Sequence, residues 1–236
     1  NNIANANTSG YIRQQLEQAS ASAVRDGGLI KGLGVRTTGI VQKVDKALVE
    51  RMYRAKSALD GADALQRAYS QLEEITTDLD NTGLSQQLSL FNNSLHELSA
   101  HPSDRALGEF VVLQGESLAS NIRRTREAVL ERRELWDGEL VNITSKINHL
   151  AARIADLNTQ IAGIEGGGLI QSDATGLRDQ RYRDLEELSG ILSINVQEQA
   201  SGAVSVFIGG DYLINSGNSR EVYTAYNDKL KGTEVR

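Results

Sequence analysis

Residues 136–164 read WDGELVNITSKINHLAARIADLNTQIAGI. Their apolar side chains fall at Trp136, Leu140, Ile143, Ile147, Leu150, Ile154, Leu157, Ile161 and Ile164, alternately four and three residues apart. Residues three and four apart share one side of an α-helix, so this spacing draws an unbroken heptad seam. Such a helix is coiled-coil-like and must lay its stripe against a partner. Working back from Trp136, no proline interrupts the chain until Pro102. Pro102, Ser103 and Asp104 suit a helix start, because Pro is tolerated in the first turn and Ser or Asp can cap free N–H groups. A helix over 103–165 would be about 90 Å long at ~1.5 Å per residue. Gly108, Gly115 and Gly138 each weaken it by about 1 kcal/mol relative to Ala, so a bend is expected, if anywhere, near Gly138.

Upstream, Leu48, Met52, Ala55, Leu59, Ala62, Leu65, Tyr69, Leu72, Ile75 and Leu79 form another face at steps of three and four. Asn81, Thr82 and Gly83 interrupt it, and Leu84, Leu88, Phe91, Leu95 and Leu98 resume it. Connections this short join antiparallel neighbours. Alternatively Gly83 only kinks one continued helix, so that 44–100 runs against 103–165; the matching lengths favour this geometry. In both, Leu59, Leu72, Leu88 and Leu95 are expected to face Ile122, Val129, Ile143, Ile147 and Leu150.

Downstream, Gly166, Gly167 and Gly168 end the long helix, and a shorter one turns Leu177, Leu185 and Leu188 inward before Gly190. Ile194 and Val196 then alternate with polar neighbours, as do Val204, Val206 and Ile208 apart from Phe207, which suits half-buried strands. Gly209, Gly210 and Asp211 mark a turn into Tyr212–Ile214. At the other end, residues 1–11 are rich in turn and cap formers, and 27–44 read as a turn with one or two short extended segments. The expected fold is mainly α: an elongated antiparallel long-helix bundle with a small β-hairpin or sheet at the C-terminal end. Its parts are a motif and extended connector (1–43), the helix bundle (44–190) and a small β region (191–236).

Composition narrows the function classes. Among 236 residues, hydrophobic content is 39% and charged content 24%, which suits an ordered globular chain. No apolar run approaches the ~20 residues of a spanning helix, so no membrane role is expected. The net charge of −6 argues against nucleic acid. The absence of Cys removes disulfides, thiolate metal sites and cysteine nucleophiles. His96, His101 and His149 have no metal-site spacing. Asp78, Asp80 and Gly83 hint at a calcium loop, but Thr82 and Ser89 stand where ligands are needed. GGLIKGLG is neither a dinucleotide fingerprint nor a P-loop. In RRTREAVLERRE, Arg123 can meet Glu127 and Arg133 can meet Asp137, so the run reads as a solvated helix face. No catalytic constellation, cofactor site or metal site is legible, and an enzyme is not expected.

Asn1, Asn2, Ala4, Asn5, Thr8, Gly10, Tyr11, Arg13 and Gln14 give NNxANxxTxGYxRQ. This resembles the signature near the N-terminus of flagellar rod, hook and hook-associated proteins. Arg13 and Gln14 lean towards the hook-associated protein 1 family. GLGVRTTGIVQKVDKALVERMYRA (residues 32–55) is similar to that family's extended segment leading into its first long helix. LRDQRYRDLEELSGILSINV (residues 177–196) is similar to its helix-to-strand segment. Ser9, Ile12, Tyr182 and Asp184 depart from the usual residues and mark a divergent lineage.

The resemblance implies a structural subunit of the bacterial flagellum that joins hook to filament. It would be extracellular, exported through the flagellar type III apparatus without signal cleavage. The chain would be a fragment lacking the terminal helices that line the inner tube. Partners would be the hook protein, the second junction protein and further copies in a ring, with an export chaperone acting through the missing C-terminal part. Asn1, Asn2, Ala4, Asn5, Thr8, Gly10 and Tyr11 would be a subunit-packing motif. The seam Trp136, Leu140, Ile143, Ile147, Leu150, Ile154, Leu157 and Ile161 would stiffen the joint. The competing readings are hook-associated protein 3 and, in another class, a cytoplasmic coiled-coil scaffold, which leaves NNIANANTSGY unexplained.

Overall fold

The computed structural model describes residues 2–4, 12–22, 24–26, 29–31, 33–76, 83–165, 174–229 and 231–236. In chain order, β1 (Gln14–Ser20), β2 (Val24–Asp26), β3 (Leu29–Lys31) and β4 (Val35–Gln42) come first. Then come α1 (Lys46–Thr76), α2 (Leu84–Ala100), α3 (Arg105–Glu165) and α4 (Thr175–Ile191). The chain closes with β5 (Asn195–Glu198), β6 (Val204–Ile208), β7 (Asp211–Asn215), β8 (Asn218–Ser219), β9 (Thr224–Asn227) and β10 (Gly232–Val235). The fold is mainly α, with small antiparallel sheets after the last helix, as the two periodicities require.

The long helix forms as one piece. α3 is 61 residues and passes Gly108, Gly115, Gly138 and Gly163 without a break. The propensity cost of four glycines is spread over a ladder of backbone bonds that each add to the last. Asp104 caps it: Oδ1 accepts the N–H groups of Ala106 at 2.9 Å and Leu107 at 3.3 Å. α1 is capped the same way by Asp45, whose Oδ1 accepts the Leu48 N–H at 3.1 Å. α1 thus starts at Lys46, two residues inside the expected boundary. Asp78 and Asp80, rejected above as a calcium loop, lie outside the described residues, as do Asn81 and Thr82 of the expected break and the triple glycine at 166–168.

The N-terminal end holds more strand than expected. β1 pairs antiparallel with β4, Gln14 opposite Gln42 and Ser20 opposite Val35, with a register shift between Glu17 and Gln18. β2 pairs with β3 as a separate two-stranded sheet in the connection between β1 and β4. β1 was illegible because QQLEQAS carries no alternating apolar stripe; its pairing rests on backbone hydrogen bonds.

The chain divides into two compact units. The first comprises Asn1–Gly61, Asn142–Thr224 and Val235–Arg236. Its core gathers Tyr53 of α1, Ile147, Leu150, Ala151, Ile154 and Ala155 of α3, Leu185 and Leu188 of α4, and Val204, Val206, Leu213 and Ile214 of the sheet. That sheet has the order β5-β6-β7-β8. β6 and β7 are joined through Gly209 and Gly210, both at positive φ (58° and 105°), the geometry of a tight two-residue hairpin. Phe207, which spoiled the alternation of β6, sits where the β6–β7 register shifts.

The second unit comprises Ala62–Val141 and Ala225–Glu234. Here Trp136 of α3 donates its indole N–H to Gln71 Oε1 of α1 at 3.0 Å. Phe91 of α2 lies over Gly115 of α3, where an added Cβ would come within 3.3 Å of the ring. Gln71 meets α3 near its middle and Phe91 meets it near its start. Within this unit α1 and α2 therefore lie one after the other along α3, running opposite to it.

Candidate functional site

Two features of the molecule stand out from its plain helices. One is a set of ion pairs and amide contacts that locks α3, α4 and the sheet together. The other is an apolar surface that stays exposed among the described residues.

The lock is built from the RDQR segment, residues 178–181. Arg178 enters α4 in its first turn and its guanidinium reaches two carboxylates. Nε and Nη2 donate to Glu165 Oε1 and Oε2 at 2.8 and 2.6 Å, and Nη1 donates to Glu198 Oε1 at 2.6 Å. Glu198 also pairs with Lys46 at 2.7 Å. The fork of Arg fits two carboxylates at once, which Lys cannot do. Hydrogen bonding to Glu165 chiefly, and to Glu198, holds the Arg178 pKa above its usual range against burial. Burial pushes the Glu198 carboxyl up, but Lys46 and Arg178 outweigh it and leave it below the usual range.

Three residues on, Arg181 is 1% exposed. Its Nη1 donates to Asn158 Oδ1 at 2.8 Å and to the Gly202 carbonyl at 2.7 Å. Burial, with Arg178 nearby, lowers its pKa. Asn158 is fully buried on α3 and acts like a piece of strand: its amide takes the Val204 N–H at 3.0 Å and gives to the Val204 and Ser216 carbonyls at 2.8 and 2.7 Å. Asn148 repeats the device on Val222, accepting its N–H at 2.9 Å and donating to its carbonyl at 2.7 Å. Gly202 stands at φ +81°, and a Cβ there would approach Glu165 Oε2 to 2.5 Å, so only Gly fits this corner.

The two departures near this segment have different accounts. Asp184 is 3% exposed and pairs with Arg153 of α3, so the odd carboxylate has a local cation. Burial still outweighs Arg153 and raises its pKa. Tyr182 is half-buried beside Tyr53, and burial raises the pKa of both phenols.

The seam divides between the units. In the first, Ile147, Leu150, Ile154, Leu157 and Ile161 are 0–6% exposed, and Ile143 packs against that core. Ile164 is 46% exposed. In the second, Trp136 and Leu140 are half-buried. No apolar side chain of the second unit is buried among the described residues; only Ser94 and Asn121 are.

The expected packing of the upstream leucines needs correction. Leu59, Leu88 and Leu95 are 62%, 48% and 40% exposed, and Ile122 and Val129 are 48% and 38% exposed. Leu72 is half-buried. In α1 the buried stripe runs through Val49 and Tyr53, one position on from Leu48 and Met52, which are exposed. Adjacent helix positions differ by about 100°, so a helix apolar over a wide arc can bury one stripe and leave its neighbour bare. The pairs expected along the arginine run also fail to close among the described residues. Asp137 Oδ1 instead accepts the Thr233 N–H at 3.0 Å, and Arg133 lies beside Gly232, both in β10.

Of the N-terminal motif, Asn1, Asn5, Thr8, Gly10 and Tyr11 lie outside the described residues. Asn2 and Ala4 are exposed. The Asn2 amide pairs with both backbone groups of Gln14, at 2.8 and 3.0 Å, adding a rung to the start of β1. His96, His101 and His149 are exposed. Among the described residues no cluster of His, Cys, Asp or Glu could hold a metal, and no helix is long and apolar enough to cross a membrane.

The family model of the flagellar hook-associated protein FlgK helical domain matches residues 69–236, which include α3, the lock and the sheet. The chain belongs to the FlgK family. It is 31% identical over 209 residues to flagellar hook-associated protein 1 of Bacillus subtilis (strain 168), covering 86% of this chain and 41% of the relative. It is 25% identical over 219 residues to the Escherichia coli (strain K12) protein of the same name, covering 93% of this chain and 40% of the relative. The chain thus spans about two fifths of the length of these FlgK relatives. The structure of the flagellar hook junction protein FlgK from Burkholderia pseudomallei shares the fold at a TM-score of 0.66 and 19% identity, over 79% of this chain and 32% of that one.

Proposed function

We propose that this chain is the helical part of a FlgK subunit that joins the flagellar hook to the filament, outside the cell and without catalysis. The observation that carries the reading, beside family membership, is the second unit's lack of any buried apolar side chain among its described residues. Helices with apolar faces owe most of their stability to tertiary packing. Leu88, Leu95, Phe110, Val112 and Leu113 are 40–60% exposed and call for cover by other helices. In an axial assembly that cover comes from a further helix of the longer subunit and from neighbouring copies in a ring. The partners are then the hook protein at one side and the second junction protein at the other. The motif around Asn2 contacts neighbouring subunits, and the seam from Trp136 to Ile161 stiffens the joint.

Cells lacking the gene should carry hooks without filaments and release filament protein into the medium. Restoring the gene with Phe110→Glu and Leu113→Glu should leave the defect in place although the protein is exported. Normal swimming in the deletion strain would overturn the reading. Binding of the purified protein to the filament cap in place of the hook end would favour hook-associated protein 3.

A further inference from the structure

We propose that Asp179 is a latch that sets how the N-terminal ribbon is held on the helical body of the first unit, making the base of that ribbon a hinge. Both strands of the ribbon converge on this one carboxylate. Gln42, the last residue of β4, donates its Nε2 to Asp179 Oδ1 at 2.7 Å and to the Thr175 carbonyl at 3.2 Å. The backbone N–H of Ile12, just before β1, faces the same carboxylate and favours its charged form. Gln14 and Gln42 are register partners, and the Lys43 N–H closes on the Arg13 carbonyl at 2.9 Å, so these residues are the ribbon's first rungs.

Beyond the base, the side chains from Gln15 to Gln18 and from Leu33 to Thr37 are exposed. A two-stranded ribbon is marginal on its own, so its direction is fixed where it is gripped. The grip is also incomplete. Gln42 Oε1 is buried with no hydrogen-bond partner. Gln42 also lines a cavity of about 360 Å³ with Val44, Lys46, Arg178 and Tyr182. A buried acceptor without a donor is costly, so opening the latch and wetting this amide recovers part of what the Asp179 bonds contribute. That balance distinguishes a releasable latch from a fixed strut. The latch stands on the geometry of this chain; its use as the compliant point of a joint rests on the function proposed above.

The chain has no Cys, so single cysteines at Gln18 in β1 and Ala47 in α1 can carry spin labels without background. Pulsed dipolar spectroscopy should give one narrow distance distribution for the parent chain. Asp179→Ala and Gln42→Ala should each broaden it and speed amide exchange at Ile12 and Lys43 by about tenfold, with helicity unchanged. The double variant should do less than the sum of the two single ones, because both remove the Gln42–Asp179 bond. Unchanged distances and exchange in a natively helical Asp179→Ala chain would overturn the latch. If that variant fails to fold, Gln42→Ala decides alone in the same two measurements. Neither outcome depends on whether the protein assembles at the hook, so a failure here leaves the junction function standing, and the reverse.

Discussion

Asp184 shows how one residue's environment becomes a pH response. Its carboxyl is buried, and burial raises its pKa more than Arg153 lowers it. A carboxyl whose folded pKa lies above the unfolded value favours folding when protonated. Its contribution is therefore full below the unfolded pKa and is lost as pH rises through the folded one. Asp184→Asn mimics the protonated form. The urea midpoint of the parent chain should accordingly fall relative to that of Asp184→Asn as pH rises from about 4 towards neutrality. A difference that stays constant with pH, or moves the other way, would show that Arg153 governs the site. At this scale the structure also explains residues that motif reading could only quote. Arg178, Asp179 and Arg181 look alike as parts of RDQR, yet they grip two carboxylates, a ribbon and a buried amide respectively.

At the scale of the element, α1 sets two neighbouring stripes against each other. Tyr53 is 2% exposed in the first unit's core, and Leu59 in the same helix is 62% exposed. Tyr53→Ala should destabilise the isolated chain by about 3 kcal/mol, the range for losing a large core side chain. Leu59→Ala should change stability by less than about 0.5 kcal/mol, as surface substitutions do. Chemical denaturation of the two variants separates them, and equal losses would mean that Leu59 is covered in solution. The periodicity of α1 was legible, because Leu and Met at steps of three and four announce a helix. Which stripe is buried was not, because Val49 and Tyr53 follow the same spacing one residue on. β1 was missed for the opposite reason: its sequence has no pattern at all, and its partner strand lies across a connector.

For the molecule as a whole, stability is unevenly placed. The first unit owns the buried apolar residues, and the second keeps only Ser94 and Asn121 buried among its described residues. Regions with few buried apolar contacts open locally at lower free energy than the core. Native-state hydrogen exchange should therefore find amides of Leu88–Leu98 and Phe110–Val129 opening well before those of Ile147–Ile161 and Leu185–Leu188. If the chain acts as proposed, protection at these segments should rise when it is mixed with hook protein or concentrated with further copies. Uniform protection in the free chain would contradict the division.

The sequence alone determined the elements that depend on local period and local caps: the long α3 capped at Asp104, the shorter helices, and the presence of strands β5 to β7, though β6 and β7 do not alternate in burial. Motif residues in NNxANxxTxGYxRQ and LRDQR were enough to point to the family. Local propensity and periodicity are properties of neighbouring residues, so they survive without a partner in view. What only the tertiary structure decided depends on residues far apart in the chain. Arg181 reaches Asn158 and Gly202, Asp179 reaches Gln42, and Asn148 reaches Val222. It also decided which apolar stripe each helix buries, because burial is settled by what lies opposite, and a periodic pattern names a face without naming its cover.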